Sequence, residues 1–381
     1  MEFRDLKKQY EVYKKQIDNS IQEVLNESNY ISGPQVKNFE ERLATYVGVK
    51  HCVSCANGTD ALALVLHAWG ITKGDAVFVP NFTFFATAEV VSQVGATPVF
   101  VDVEPETFNM DPRHLEIQIK KTIKESQLKP KVIITVDLFG LLADYSRILP
   151  IANKYGLKVL EDAAQAFGAE YNGKRACSFA DAATTSFFPA KPLGCYGDGG
   201  AIFTDDDELV KILHSLRVHG KGDDKYDNVR IGFNSRLDTI QAAILNVKLD
   251  AFINHELEDV NKVYGQYDKL LRGIVTTPII PQGYLSSFAQ YTIKLKSKEQ
   301  RDGLKDYLTK QDIPTMIYYT KTMHQQTAYK TLNNNDNDFP ISTNLCKLVL
   351  SIPIHPYLSN KEISKIVQAI TNYVKNEQFA L

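Results

Sequence analysis

The chain reads as an α/β protein: a large domain with a mostly parallel mixed sheet flanked by helices, followed by a smaller C-terminal α+β domain. Two observations predict this. Between His51 and Thr204, short apolar runs alternate with helical segments, the pattern of a sheet wound with helices. At 381 residues the chain is also longer than a typical single domain, so two unequal domains are expected. A helical N-terminal arm comes first. The strand runs are His51–Ala56, Ala76–Val79, Pro98–Val103, Lys131–Val136, the run from Lys158 that ends in two acids, Ala182–Phe188 and Ala201–Thr204. Helical patterns cover Asp60–Ala68, Asp206–Val218 and Thr239–Asn254. A boundary near Ala251–Val263 divides the chain into 1–255 and 256–381. Beyond it, Gln290–Leu295, the helix Lys298–Lys310 and Thr315–Tyr319 supply the smaller domain.

Composition excludes several classes. A hydrophobic content of 44% with 23% charged residues is that of an ordinary globular protein. The formal net charge of −2 leaves no electrostatic footprint for nucleic acid or an acidic membrane surface. No long apolar run suggests a membrane span, and the start, Met1 to Lys8, lacks a signal-peptide core, so a cytoplasmic protein is expected. Five cysteines, an odd number, do not suggest a disulfide framework. Cys52 and Cys55 match a C-x-x-C pattern, but in a strand residues three apart point to opposite faces, so both read as packing residues. The eight histidines lack metal-ligand spacing, and no metal is expected. Asn333–Asp338 reads as an exposed loop, and no internal repeat is visible.

The segment from Thr184 to Gly200 carries the strongest chemical signal. It sets Lys191 in a tight, mostly uncharged turn between two strand runs, with Pro189, Pro192, Gly194 and Gly197 to fix or permit unusual backbone angles. Such a lysine is aimed and partly desolvated, which favours the neutral amine that a Schiff base needs. A buried stem with a snorkelling head fits the same pattern. Upstream, Lys158-Val-Leu-Glu-Asp162 ends in acids at the carboxyl end of a strand, where open α/β sheets bind ligands. Asp162 there can keep a pyridine nitrogen protonated, or simply cap the next helix. A lysine and an acid of this kind are what pyridoxal 5′-phosphate requires. The turn Asn57-Gly-Thr-Asp60 between a strand and a helix offers free N–H groups to a phosphate, although it is also an ordinary capped turn.

These residues sit within a longer resemblance. Tyr30–Pro34, Asn57–Asp60, Pro80–Thr87, Val101–Glu104, Glu161–Gln165, Ser186–Gly200 and Gly232–Ile244 match, in order, blocks of the DegT/DnrJ/EryC1/StrS sugar aminotransferases. The chain resembles that family over nearly its whole length. The resemblance implies the type I pyridoxal-phosphate (PLP) aminotransferase fold. It implies that Lys191 binds the cofactor covalently, Asp162 pairs with the ring nitrogen, and Gln165 sits near the ring hydroxyl. Gly58, Thr59 and Ser186 would hold the phosphate, and Phe84 would stack on the ring or else pack in the core. Asn234 matches a residue that reaches the phosphate of the neighbouring subunit, so a homodimer with shared sites is implied. Arg236 would contact an anionic part of the substrate or brace the interface. Tyr318, Tyr319 and His324 fall where the family approaches the sugar; for His324 a structural role is equally open.

The implied reaction is a ping-pong transfer. L-glutamate gives up its amino group and leaves as 2-oxoglutarate, the cofactor passes through pyridoxamine phosphate, and a ketosugar nucleotide takes the amine. Within the family, the block around Lys191, the Asn57–Asp60 turn and Asn234–Asp238 look most like enzymes acting at C3 of UDP-2-acetamido-2-deoxy-3-oxo-D-glucuronate. Those serve lipopolysaccharide O-antigen synthesis. One departure is Tyr318-Tyr319-Thr320, where such relatives read His-Tyr-Pro; amination at C4 of a related UDP-acetamido 4-ketosugar is the alternative. A sugar dehydratase on the same fold is disfavoured because those relatives replace the lysine with histidine. A non-catalytic regulator is disfavoured because no DNA-binding helix pattern is present.

Overall fold

The computed structural model describes residues 1–224 and 226–378. Helix α1, Leu6–Glu27, begins where the Asp5 side chain accepts the Lys8 N–H, and ends at Ser28 in a left-handed turn. Helix α2, Pro34–Val47, starts on a proline and stops at Gly48, whose φ of +87° suits a residue without a side chain. The central sheet has seven strands: β1 His51–Cys55, β2 Asp75–Pro80, β3 Thr97–Val101, β4 Lys129–Val136, β5 Lys158–Asp162, β6 Ala182–Ser186 and β7 Gly200–Thr204. Their order across the sheet is β1-β7-β6-β5-β4-β2-β3. Every neighbouring pair is parallel except the two made by β7, so the sheet is mixed and mostly parallel.

Helices cover both faces, so the strands are apolar on both sides. Phe78 and Ile133 enter one core cluster, while Val77, Val79, Val132 and Ile134 enter the other. Cys52 and Cys55 divide in the same way, both buried and both free thiols. Between the strands lie α3 Gly58–Ala68, α4 Ala86–Gln93, α5 Pro112–Glu125 and α6 Tyr145–Tyr155, then α7 Asp207–Leu216, capped by the Asp206 carboxylate.

Helix α8, Thr239–Ala251, does not end near Asn254. A π-helical turn, Phe252–Glu256, carries it into α9, Leu257–Leu271. The residues expected to form a domain boundary therefore lie inside one continuous helical run. Phe252 anchors that turn by packing on Gly168, where an added Cβ would lie 2.4 Å from its ring. From Val260 onward a separate core cluster forms around β8 Tyr291–Lys294 and β9 Val349–Ile352, paired antiparallel. Helices α10 Lys298–Thr309, α11 Pro340–Leu348 and α12 Asn360–Gln378 accompany them. Residues 315–319 form no strand; a single bridge, Met316 to Ser351, and the packing of Ile317 on the small-domain core tie them to the small sheet. Among the described residues, no helix is long and apolar enough to cross a membrane, and no cluster of side chains is arranged to hold a metal ion.

Candidate active site

β1, β5 and β6 run in the same direction, so their carboxyl ends share one edge of the sheet. Chemistry-bearing residues follow directly from those ends. β1 leads through Asn57 into α3, and the Asn57 side chain accepts the Asp60 N–H at 2.7 Å, leaving the preceding amides at the helix N-terminus free. Gly58 is required there by contact: an added Cβ would sit 2.7 Å from Ser186 Cβ, at the end of β6. Gly200 approaches the Asn57 backbone in the same way, at 2.5 Å. Gly58, Thr59 and Ser186 thus form one small cup at a helix N-terminus, suited to a phosphate.

Lys191 follows β6 in a turn closed by its own N–H to the Phe188 carbonyl and by the Cys195 N–H to the Phe187 carbonyl, both at 2.8 Å. Gly194 belongs to that turn because an added Cβ would lie 2.5 Å from the Pro189 carbonyl oxygen. Neither Gly194 nor Gly197 has a positive φ, so close approach, not an unusual backbone angle, explains them. Burial lowers the Lys191 amine from its ordinary pKa; the Asp162 charge opposes the shift and Arg4 adds to it. Arg4, from the start of the chain, donates to the Pro192 carbonyl at 3.1 Å.

Asp162 closes β5 and is buried. Its Oδ2 accepts the Thr87 hydroxyl at 2.9 Å and its Oδ1 the Ala164 N–H at 3.2 Å. Burial raises its pKa, while Thr87, the Ala164 N–H and the Lys191 charge pull it back. The Thr87 contact has no local signal in the sequence beyond a hydroxyl near the start of a mixed helix, Ala86–Gln93. Gln165 is also buried; its Oε1 accepts the Phe139 N–H at 2.9 Å and its Nε2 donates to the Tyr319 hydroxyl at 3.1 Å. That bond carries the 318–320 segment to the strand ends. Tyr319 packs edge-on against Phe82, and Tyr318 against Phe3.

Phe84 is 55% exposed, one turn before Thr87, and so lies outside the core. Asn234 and Arg236 bond to each other, and Ser235 between them accepts the Ala56 N–H at 3.1 Å, which sets the pair beside the phosphate cup. Arg236 also lines a cleft with Arg217 and Glu40. His324 is buried with both ring nitrogens engaged, Nδ1 by Asn81 and Thr322 and Nε2 by Asp336 at 2.9 Å. The structure places it as a brace for its own loop. Lys191, Asp162, Gln165 and Tyr319 come together with the cup of Gly58, Thr59 and Ser186.

Residues 11–371 match the model of the DegT/DnrJ/EryC1/StrS aminotransferase family. A curated relative, the UDP-2-acetamido-2-deoxy-3-oxo-D-glucuronate aminotransferase of Pseudomonas aeruginosa, is 45% identical over 98% of this chain and 100% of its own length. A DegT/DnrJ/EryC1/StrS aminotransferase from Brucella abortus superposes with a TM-score of 0.95 at 49% identity, covering 98% of this chain and 99% of that one. NtdA of Bacillus subtilis, solved with its cofactor PMP bound, superposes at 0.85 with 30% identity, covering 95% of this chain and 82% of that one. The chain belongs to the DegT/DnrJ/EryC1/StrS aminotransferase family. It is a nucleotide-sugar aminotransferase that depends on pyridoxal phosphate. The residues present fit that cofactor: a cup that a Cβ would fill at Gly58, a desolvated lysine, and a buried aspartate facing it.

Proposed function

We propose that the enzyme moves the amino group of L-glutamate to C3 of UDP-2-acetamido-2-deoxy-3-oxo-D-glucuronate, releasing 2-oxoglutarate. The product would feed O-antigen or another surface polysaccharide, and the reaction would take place in the cytoplasm. The observation that carries this reading is the P. aeruginosa relative, similar along almost the entire chain.

Pyridoxal phosphate supplies, when bound, an electron-poor ring and a carbon that exchanges amines. The chain does the rest. The Lys191 amine, its basicity lowered by burial, would move the proton to and from the substrate carbon, away from it in the glutamate half and onto it in the sugar half. The Asp162 carboxylate holds a proton on the ring nitrogen, and Thr87 orients that carboxylate. Gly58, Thr59 and Ser186 would hold the phosphate, and Phe84 would cover the ring. Tyr319 accepts from the Gln165 amide and so fixes the side chain that would meet the ring hydroxyl. Two chains form a homodimer in which Asn234, exposed on its own subunit, completes the partner's phosphate site. Arg236 faces the anionic part of the substrate. Tyr318, half-buried against Phe3 and Tyr319, stands in the Tyr318–Thr320 departure that favours the second reading, amination at C4 of a related 4-ketosugar.

Product NMR after incubation with glutamate and a panel of UDP-acetamido ketosugars separates the two. Amination at C3 of the uronate supports the first reading. Amination only at C4 of another sugar replaces it and leaves the chemistry of Lys191 intact.

A further inference from the structure

A pair of acids lies directly behind Asp162, and the transfer chemistry does not use it. Glu161 precedes Asp162 at the end of β5, and Asp137 follows the neighbouring strand β4. Both side chains are fully buried. Each oxygen of the Glu161 carboxylate accepts a backbone N–H, one from Cys177 and the other from Phe179 at 3.0 Å, and keeps a second lone pair. Asp137 Oδ1 accepts the Ala143 N–H at 2.8 Å and the Tyr145 hydroxyl at 2.9 Å. Asp137 Oδ2 has no such donor, although it is buried. Thr135 pairs with Glu161 across β4 and β5, and Asp137, two residues further on, lies on the same face, so the Glu161 carboxyl acts on the Asp137 side chain.

Two ionised carboxylates in contact, away from water, repel each other and forfeit their hydration. A single proton resolves both problems. The choice of site follows from the hydrogen bonds. Both Glu161 oxygens are already acceptors, and Asp137 Oδ1 is too, so Oδ2 is the one oxygen with nothing to lose by becoming a donor. We propose that Asp137 is a protonated positioning residue, whose Oδ2–H donates to ionised Glu161 and so ties the end of β4 to the end of β5 behind Asp162. The tie reaches the site through backbone: the Asp137 N–H donates to the Asp162 carbonyl at 3.1 Å.

The electrostatics agree in direction. Burial is the largest cause of a raised pKa in both acids; Glu161 raises Asp137 further, whereas the Phe179 and Cys177 N–H groups and the contact with Asp137 pull Glu161 back down, so the proton belongs on Asp137. The titratable groups facing the pair are the neutral phenol of Tyr145 from α6, the Cys177 thiol, itself pushed up by burial, Lys174, and Asp162. The cation that acts on Glu161 is Lys174, with less effect than burial, the two backbone N–H groups or Asp137.

The sign is fixed by linkage. The folded pair keeps a proton that the unfolded chain has lost above the usual carboxylate range, so stability is greatest at low pH and falls as pH rises. From the usual carboxylate range up to the pH at which the folded pair gives up its proton, the unfolding constant gains about tenfold per pH unit from this proton. Asp137→Asn tests the idea because its amide reproduces the protonated carboxyl: Oδ1 still accepts, and Nδ2 donates to Glu161. Denaturant unfolding of the cofactor-free protein from pH 5 to 9 is the measurement. The variant is expected to fold and to lose this tenfold-per-unit dependence relative to wild type. Glu161→Gln is expected to unfold far more readily at every pH, because one backbone N–H loses its acceptor. An unchanged slope in Asp137→Asn, or Glu161→Gln behaving as the better tolerated variant, overturns the assignment. If Asp137→Asn does not fold, infrared spectroscopy of the Asp162→Asn protein at pH 6 decides. A protonated carboxyl band supports the pair and its absence refutes it.

Discussion

Gly58→Ala is the sharpest test of the phosphate cup. The new methyl group would stand 2.7 Å from Ser186 Cβ and 3.3 Å from Ser186 Cα. Those atoms are the root of a side chain on a sheet strand, so no flexible tip can swing aside. Either the α3 N-terminus or the end of β6 must move by several tenths of an ångström. Overpacking of this kind costs about 1–3 kcal/mol. The clash lies inside the cup, so the cost falls on cofactor binding, which converts to roughly a 5- to 150-fold weaker Kd. Titrating the cofactor-free enzyme with pyridoxal phosphate by absorbance gives that ratio, and denaturant unfolding of the same sample gives the part lost from folding. The double variant Gly58→Ala/Ser186→Gly restores the space and should recover part of any stability lost. Wild-type affinity and wild-type stability together in Gly58→Ala would refute the argument, because the contact would then not constrain the cup.

Four other outcomes are expected. Lys191→Ala should lose the absorbance band of lysine-bound cofactor and resist fixation by borohydride; an unchanged band would remove Lys191 from its role. Thr87→Val deletes the 2.9 Å bond to Asp162, whose pKa burial already raises. Cofactor affinity should fall as pH drops and Asp162 takes a proton, and in the variant that fall should begin at higher pH; superimposable pH profiles would contradict this. His324→Ala breaks the bonds to Asn81, Thr322 and Asp336, so about 1–3 kcal/mol of stability should go while kcat changes only a few-fold. A large loss of kcat with unchanged stability would instead place His324 on the substrate. Asn234→Ala should weaken cofactor binding through the partner subunit, and a variant that holds pyridoxal phosphate as tightly as wild type would count against the shared site.

Much of this site was legible before any coordinates. Strands alternate apolar residues between two covered faces, so Val77, Phe78 and Val79 announce β2 without help from distant contacts. The order of strand, turn and helix around Asn57 likewise depends on local capping, and Asp162 falls at a strand end because the apolar run stops there. Other features were invisible because they arise between segments far apart in the chain. Thr87 becomes important only when α4 meets β5, 75 residues away. The π turn at Phe252–Glu256 keeps α8 and α9 continuous because Phe252 rests on Gly168, a contact that no helical periodicity encodes.

The sequence by itself determined the sheet, the candidate cofactor residues and the family, because each rests on local patterns or on ordered blocks along the chain. Tertiary structure decided the rest. It showed that Gly58, Gly194 and Gly200 are glycines because neighbouring atoms leave no room for a Cβ there, with no positive φ involved. It gave His324 its place as a buried side chain with both ring nitrogens engaged, partners found only after the loop folds against Asn81. And it set Asp137 against Glu161, 24 positions apart, where exclusion of water makes one proton matter. Spacing along a chain records which groups exist; only packing decides which of them lose their water and meet.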